Sequence, residues 1–369
     1  MLSRSIYFYV IMAFLFVVSV VFVNHNDAFY DRPIAEVTKV KQEDKTEVTD
    51  QHHNTDELFT QQITAKLKNG EAKGETIHLQ NEYSASGAYD QAYQPGNDLF
   101  VSLDTDKGKN ATLTGKIIDV KRDKYVLVAA WVFVAILLIV GKRQGLFSII
   151  ALAINAMILS YALDIYVKNS DISLLFLCSI SVVLFTAISL LFLHGLNEKT
   201  YAAIVATLLG TFLSLLIASV VIWATSESGL RYEEMQFLTR PYQVIFIASL
   251  FLGSLGGVMD IAITMTSSIF GLYEKNNAIS KKALQTSGME IGKDIMGTIT
   301  NILLLVYISG SIPMLILYLN NGSALTFSLT MNLSLEVARA LAGGIGIVLS
   351  IPVSLYTSIF FINRKRAKS

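Results

Sequence analysis

Charged residues are scarce in this chain of 369 residues. Asp, Glu, Lys and Arg together make up 16% of the sequence, whereas hydrophobic residues make up 53%. The mean hydropathy is +0.51. A soluble protein usually has about a quarter charged residues. A deficit of this size, together with long apolar runs, excludes an ordinary soluble domain and predicts a membrane protein.

Cysteine is almost missing, since Cys178 is the single one in the sequence. A disulfide within the chain is therefore excluded. Cys178 lies inside an apolar run without a basic neighbour, and a thiol in such surroundings is usually a small packing residue. A nucleophilic thiol would need an electropositive environment that lowers its pKa.

Signatures of common enzymes are also missing. The sequence has no HExxH zinc motif and no GxSxG nucleophile turn. Residues 288–293, Gly-Met-Glu-Ile-Gly-Lys, superficially resemble a phosphate-binding loop, but the spacing of the glycines is one residue too short, and Asp294 stands where Ser or Thr would bind magnesium. Asp260 and Asp294 lie in contexts unlike those of intramembrane aspartyl proteases. We therefore expect no enzymatic activity, no catalytic residue, no metal site and no cofactor.

Eight apolar runs have about the length that a bilayer requires of a spanning helix. Each run should be helical, because lipid offers no hydrogen-bond partner to backbone N–H and C=O groups. We predict transmembrane spans at residues 6–23, 125–140, 146–163, 172–193, 201–224, 244–263, 296–319 and 337–362.

The distribution of Lys and Arg between successive connections predicts the orientation of these spans. If the N-terminus is cytoplasmic, basic residues concentrate in the cytoplasmic connections and in the tail, and none occurs in the outer connection 320–333. We expect a cell-membrane protein with both termini in the cytoplasm. The cytoplasmic bases would be Lys142, Arg143, Lys199, Lys275, Lys281, Lys282, Lys293, Arg364, Lys365, Arg366 and Lys368, and the outer ones Lys168, Arg231 and Arg240.

A polar insert, residues 24–124, separates the first two spans and contains 18 of the 29 acidic residues but 13 of the 29 basic ones. Its alternating apolar positions predict a small extracytoplasmic β-barrel or sandwich, with an OB-like barrel as one form. Residues 42–57 have the character of a charged, solvated loop. His52 and His53 lie in this loop, and adjacent histidines lack the spacing of a metal-ligand pair. Candidate strands are 33–41, 58–68, 75–80, 98–103 and 112–120.

The predicted fold is an α-helical integral membrane bundle of about eight transmembrane helices with this inserted β-domain. Its parts are an N-terminal signal anchor helix (1–23), an extracytoplasmic β-rich domain (24–124) and a seven-helix transmembrane domain with a basic tail (125–369). A cleaved signal peptide is the alternative for the first run. Only Arg4 precedes that run and no A-x-A-like site follows it, which favours the anchor. The charge pattern does not suggest nucleic-acid binding.

Small and polar residues recur on one face of each of the last three spans. A charged side chain at the bilayer centre costs about 2.5–3.5 kcal/mol, so it should face protein or water and marks a functional site by default. We predict a polar seam between the three helices, with Lys293 paired to Asp260 and Arg339 to Glu336. Pathway candidates are Asp260, Thr264, Glu290, Lys293, Asp294, Asn301 and Arg339; helix-packing candidates are Gly253, Gly256, Gly257, Gly288, Gly292, Gly297, Gly343 and Gly346.

A purely structural role is the alternative for these residues. Glycines allow helices to approach closely, and interhelical polar contacts in membranes contribute about 0.6 kcal/mol each on average. The same residues could therefore hold the helices together without forming a route for any solute.

Three stretches of these final spans form a specific pattern. Residues 254–260 are Ser-Leu-Gly-Gly-Val-Met-Asp, and residues 287–298 are Ser-Gly-Met-Glu-Ile-Gly-Lys-Asp-Ile-Met-Gly-Thr. The closing span contains Arg339, Gly343-Gly344 and Pro352. From residue 125 to residue 362, the chain resembles the YibE/F-like family of bacterial multi-pass membrane proteins.

The resemblance implies the larger of two family types, which has an N-terminal anchor and a β-rich extracytoplasmic domain. It also implies a possible partner of the shorter type, which lacks that domain. Lys293 stands where family members often have arginine, and Ile302 stands where a small polar residue is common. An apolar side chain at position 302 would make the seam drier beyond Asn301.

Two functions remain open from the sequence. The first is a transporter or permease-like component that moves a small solute or ion through the polar seam. The second is a non-transporting membrane scaffold whose extracytoplasmic domain binds a cell-envelope partner. In both cases the lipid bilayer is the medium in which the helices lie.

Overall fold

The computed structural model describes residues 2–87, 90–104, 113–169, 171–235 and 241–368. The chain divides into two compact units, Met1–Ile139 and Val140–Ser369. Among the predicted features, Arg240 and residue 112 lie outside the described residues, as do the side chains of Arg4 and Lys368.

The first unit begins with helix α1 (Leu2–Asn24), which contains the predicted span 6–23. A short 3₁₀ turn, Asp27–Phe29, follows it. Five β-strands come next. They are β1 (Ile34–Thr49), β2 (Thr55–Leu67), β3 (Thr76–Ser84), β4 (Asp98–Leu103) and β5 (Leu113–Val120).

The five strands form a closed sheet in the order β1-β2-β3-β5-β4, with β4 paired back onto β1. Every pairing is antiparallel except that between β3 and β5, where Ile77 lies opposite Leu113. The pairing of β4 with β5 needs Gly115, because a Cβ at this position would clash with the carbonyl oxygen of Ser102. We refer to this closed sheet as the barrel.

The interior of the barrel is filled by alternate residues of its strands, as the side-chain period of two requires. Successive inward positions on β2 and β3 are almost completely buried, while their neighbours point outward. The core residues are Ala35, Val37, Ile63, Ala65, Leu67, Ile77, Leu79, Tyr93, Leu99 and Val101.

The prediction of a loop over residues 42–57 is wrong. Strands β1 and β2 remain paired as far as Thr49 and Thr55, and the turn between them is closed by Asp50, whose Oδ1 accepts hydrogen bonds from backbone N–H groups. Most side chains at the distal end of this hairpin are exposed on both faces, so the apolar alternation that marks a half-buried strand is lost. His52 and His53 are exposed, as expected.

Helices make up the rest of the described chain. They are α2 (Asp123–Lys168), α3 (Leu174–His194), α4 (Glu198–Ala224), α5 (Tyr242–Lys275), α6 (Lys281–Gly310), α7 (Ile312–Asn320), α8 (Leu325–Phe327) and α9 (Ser334–Lys368). A π-helical turn, Ser328–Asn332, joins α8 to α9. Within the described residues, α2 to α6 and α9 are the six helices long and apolar enough to cross a membrane.

Helix α2 contains two of the predicted spans, 125–140 and 146–163. The backbone bends at Lys142, whose φ of 47° and ψ of −121° are not helical. A non-glycine residue with positive φ is uncommon, and here it interrupts an otherwise continuous helix of 46 residues.

Helix α6 differs from the predicted span 296–319. It begins at Lys281, where the Ser280 side chain accepts a hydrogen bond from the Ala283 N–H, and it ends at Gly310. Pro313 lies in the first turn of the separate helix α7, as expected for a residue without a backbone N–H. The hydropathy pattern missed the polar first half of α6 because that half carries several charges.

Helices α4, α5 and α9 pack closely around small residues in the second unit. A Cβ on Gly210 would lie 3.0 Å from Val258 Cγ1 and 3.3 Å from Ser350 Cβ. One helical turn later on α4 and one turn earlier on α9, Ser214 lies beside Gly346. Its hydroxyl donates a hydrogen bond of 3.0 Å to the Ala342 carbonyl. These contacts establish that α4 runs antiparallel to α9.

Candidate functional site

Helix α5 has one polar face. Gly256, Asp260 and Thr264 are four residues apart, so they lie above one another on the helix, and all three are exposed. The opposite face, which includes Val258 and Ile261, is completely buried. Asp260 lies near the middle of this membrane-length helix.

Helix α6 has a similar polar face opposite the residues through which it packs. Gly288 and Gly292 are buried against α9, where Cβ atoms would clash with Leu355 and Ile351. The exposed polar-face residues are Glu290, Asp294, Gly297, Thr298 and Asn301, and Lys293 is exposed beside them.

The contacts between α5 and α6 determine which residues share a level. A Cβ on Gly292 would lie 3.4 Å from Met265 Cε, and one on Gly288 would lie 3.5 Å from Ile269. The two helices are therefore antiparallel. Asp260 precedes Met265 by five residues and Gly297 follows Gly292 by five, so both lie about 7.5 Å from this contact.

Helix α9 packs against α5 at Gly257 and against α6 at Gly292, and neither glycine belongs to the exposed polar residues. Because α5 and α6 pack against each other, we treat the exposed polar residues of the two helices together. We call this set of residues the α5–α6 polar face; it consists of Gly256, Asp260, Thr264, Glu290, Asp294, Gly297, Thr298 and Asn301.

The expected ion pair between Asp260 and Lys293 is not formed. No hydrogen bond or ion pair joins either side chain to another described residue. Lys293 follows Gly292 directly and so lies about one helical turn from the level of Asp260. Both side chains are exposed rather than turned toward each other across a helix interface.

Arg339 lies away from the α5–α6 polar face. It forms the predicted ion pair with Glu336, its Nε donates a hydrogen bond of 3.2 Å to Ser249 Oγ, and its guanidinium lies 5.4 Å from the centre of the Phe246 ring. Ser249 precedes Asp260 by eleven residues, or about 16 Å along α5. The last three spans therefore do not bring all their charges into one seam.

The eight candidate packing glycines fall into two groups. A Cβ at six of them would be in tight contact with a neighbouring helix: Gly253 meets Tyr307, Gly257 meets Ile347, Gly288 meets Leu355, Gly292 meets Ile351, Gly343 meets Leu303 and Gly346 meets Ser214. Gly256 and Gly297 have no atom within 4 Å of the position of a Cβ. Both of these lie on the α5–α6 polar face.

The sequence analysis missed a buried row of hydroxyl groups between α4 and α9. The row includes Thr207 on α4 and Ser354 on α9, both fully buried, and neither hydroxyl has a hydrogen-bond partner among the described residues. A spacing of three or four residues could have revealed it. The members are Thr207, Thr211 and Ser214 on α4 and Ser350, Ser354 and Ser358 on α9.

A cluster of charges in the first unit was also missed. The Lys121 ammonium, whose side chain is 1% exposed, donates to Asn26 Oδ1 and Asp27 Oδ1 at 2.6 Å each. Lys68 Nζ lies 3.0 Å from Asp27 Oδ2 and 3.2 Å from Asp98 Oδ1. We call Asp27, Lys68, Asp98 and Lys121 the barrel-base cluster. No spacing pattern marks these residues, because they are distant in sequence and surrounded by other charges.

Electrostatics within the barrel-base cluster favour the charged forms of Asp27 and Lys68. Burial alone would raise the pKa of Asp27, but hydrogen bonds and charge attraction from Lys121 and Lys68 outweigh it and hold that pKa below its usual value. Burial would likewise lower the pKa of Lys68, but Asp27 and Asp98 raise it above its usual value. The cluster therefore contributes stability as a set of ions.

Two family models match the chain. One, described as YibE/F-like protein, covers residues 129–364 and includes the α5–α6 polar face. The other, described as the YibE/F family N-terminal domain, covers residues 28–120 and includes the barrel. No curated protein and no solved structure matches the chain. Since the first match alone covers more than half of the sequence, this membrane protein belongs to the YibE/F-like protein family.

Proposed function

We propose that the protein is a transporter or permease-like component that moves a small solute or an ion along the α5–α6 polar face. The observation that supports this is Asp260, a carboxylate in the middle of an apolar helix. Retaining such a group costs about 2.5–3.5 kcal/mol, and ionisable residues within membranes commonly belong to substrate or ion pathways. Gly297 and Thr298 lie at about the same level on α6 and leave space and a hydroxyl beside it.

The polar groups on α6 would line part of such a route. From Glu290 to Asn301 they extend over eleven residues, or about 16 Å of a hydrocarbon core that is about 30 Å thick. The next exposed residues beyond Asn301 are apolar: Ile302, Leu304, Leu305 and Val306. The remaining half of the route would be closed in this conformation, as expected of a gated carrier rather than an open channel. The proposed mechanism has no catalytic step.

We propose eight membrane crossings in the cell membrane. They would be α1, the two arms of α2 on either side of Lys142, and α3, α4, α5, α6 and α9. The bend at Lys142 supports this count, because it lies between two apolar runs of spanning length and beside the basic pair Lys142 and Arg143. Both termini would then be cytoplasmic and the barrel extracytoplasmic.

We also propose that the barrel is OB-like. Five strands in the order β1-β2-β3-β5-β4, with a single parallel pairing between β3 and β5, support this interpretation. OB-type barrels bind ligands or partners on their outer surface. In this protein the barrel would capture the solute or bind a membrane partner, such as a shorter YibE/F-like protein.

The test of transport is the substitution Asp260→Asn. Solutes that depend on the protein would first be identified by profiling ions and metabolites in cells with and without it. We expect D260N to abolish the flux of that solute at normal protein abundance, because the amide keeps the shape but removes the charge. The matched control is Asp164→Asn, which removes an exposed acid of α2 that pairs with Lys168. Unchanged flux in D260N would contradict the proposal.

A scaffold function is the second candidate, and the β1–β2 hairpin favours it. The hairpin continues beyond the barrel core and presents exposed pairs such as Lys45 and Glu57, which suits contact with another protein of the cell envelope. If the helices act as an anchor alone, replacing them with unrelated spans should preserve function. Loss of function in such a correctly inserted chimaera would exclude the scaffold.

A further inference from the structure

The α5–α6 polar face carries charged groups to which lipid cannot hydrogen-bond. Asp260 and Asp294 are exposed, and no hydrogen bond or ion pair joins either to another described residue. Acyl chains cannot hydrogen-bond to these groups, and an unpaired carboxylate at the bilayer centre is costly. These groups therefore need polar contacts that lipid does not supply.

The shape of the face suits a helix. Gly256 and Gly297 have open space where a side chain would project, whereas the other six candidate glycines already contact neighbouring helices. Small residues at a surface allow a second helix to approach closely in a membrane. These two glycines lie next to the carboxylates that need a partner.

We propose that the partner is a second copy of this chain, which covers the α5–α6 polar face with its own identical face. A two-fold axis along the membrane normal brings each residue opposite residues of the same depth. On α6, the base Lys293 borders the face directly beside the acid Asp294, and both are exposed, so two copies can present opposite charges to each other. Lys293 of one copy would meet Asp294 of the second copy, and the reverse.

The pairing also provides partners deeper in the membrane. Thr298 and Asn301 carry a hydroxyl and an amide near the level of Asp260, and no hydrogen bond joins either side chain to another residue that the structure describes. In the dimer they can donate hydrogen bonds to Asp260 of the second copy. This inference deepens the proposed function and rests on it. If the protein is a transporter, the transport route would be enclosed between two copies of the chain.

Cysteine cross-linking tests the pairing directly. Cys178 is the single cysteine and is buried, so Cys178→Ser gives a background without thiols. In that background we compare Thr298→Cys with Leu209→Cys. Leu209 is next to Gly210, which packs on Val258, so it lies near the level of Asp260 but on α4, where it is 54% exposed. The two thiols therefore have similar depth and different faces.

Membranes containing each variant are treated with an oxidant or a short bismaleimide. We expect T298C to form a species of twice the chain mass and L209C to form little or none. Equal cross-linking of the two variants would overturn the proposal. Cross-linking of T298C solely to a protein of another mass would also overturn it, and would identify a different membrane partner.

A charge exchange gives a second, independent test. Two differently tagged copies are co-expressed, and their co-purification in mild detergent is measured. Lys293→Glu in both copies should abolish co-purification, because Glu then opposes Asp294. Combining K293E in one copy with Asp294→Lys in the other should restore it, because each pair again joins opposite charges. Co-purification of K293E copies at the original level would overturn the proposal.

Neither test measures flux. A cross-linked dimer with normal flux in D260N would reject the transport proposal and keep the dimer. Loss of flux in D260N without any T298C cross-link would reject the dimer and keep transport.

Discussion

Lys121 is a cation that the fold has almost removed from solvent, since 1% of its side chain is exposed. Its ammonium is compensated by the Asp27 carboxylate and the Asn26 amide oxygen, each at 2.6 Å. A buried ion of this kind is tolerated when its partners are present and becomes costly when one of them is removed. Single residues of the barrel-base cluster therefore have large expected effects.

Lys121→Met should destabilise the barrel strongly. The substitution leaves Asp27 partly buried with one of its two cations, and breaking a buried pair costs about 3–5 kcal/mol. The measurement is the free energy of unfolding of the full chain in detergent. Lys116→Met is the control, because Lys116 is exposed on β5 and surface changes usually stay within about 0.5 kcal/mol. Equal effects of the two variants would contradict the role of the cluster.

Acid should remove part of this stability through Asp27. Its pKa is lower in the folded protein than in the unfolded chain, so its contribution is complete at neutral pH and is lost as pH falls below about 4. Calorimetry of Asp27→Asn and wild-type protein should show a difference in melting temperature that shrinks over this range. Asp31→Asn, at an exposed position, should follow the wild type. A difference that is constant with pH would reject the explanation.

At the scale of helices and strands, the face by which a helix packs against its neighbours depends on contacts that the spacing of residues in the sequence does not reveal. Gly256 and Gly257 are neighbours in sequence, yet a Cβ on Gly257 would lie 3.0 Å from Ile347 Cδ1, whereas a Cβ on Gly256 would meet no described atom of a neighbouring helix within 4 Å. The approximate positions of most apolar helices were predictable because hydropathy is a local property, although α6 begins earlier and ends earlier than the predicted span. The helix against which each face packs was not predictable, because it depends on how three helices meet.

Gly292→Ala and Gly297→Ala form a matched pair on α6. Both substitutions bring the same gain in helix propensity, about 1 kcal/mol. At Gly292 the new Cβ would clash with Ile351, and overpacking usually costs about 1–3 kcal/mol. We expect G292A to melt at a lower temperature than G297A in detergent. A lower melting temperature for G297A would show that the assigned packing face is wrong.

At the scale of the whole molecule, the order of the elements agrees with the sequence analysis better than their pairing does. An apolar N-terminal helix, a β-rich insert and a helical remainder follow from composition and periodicity. The parallel pairing of β3 with β5 joins strands that are far apart in the chain, which no local pattern encodes. The hairpin over 42–57 was missed for a related reason, since solvent on both of its faces removes the apolar alternation.

Labelling with a membrane-impermeant maleimide tests the proposed orientation. In the Cys178→Ser background, His52→Cys places a thiol on the exposed turn of the β1–β2 hairpin, and Lys282→Cys places one at the exposed start of α6. We expect H52C to react in intact cells and K282C to react after permeabilisation. Reaction of K282C in intact cells would reverse the proposed orientation.

The hydroxyl row between α4 and α9 bears on how the bundle could move. Gly210 packs on Ser350 and Ser214 lies beside Gly346, so Thr207 and Ser354 lie at about the same height on opposing helices. Neither hydroxyl forms a hydrogen bond to a described residue. Separation of the two helices would break the hydrogen bond from Ser214 to the Ala342 carbonyl but none made by Thr207 or Ser354. Water entering the gap would hydrogen-bond to both of these hydroxyls, so hydration would offset part of the cost of opening this interface.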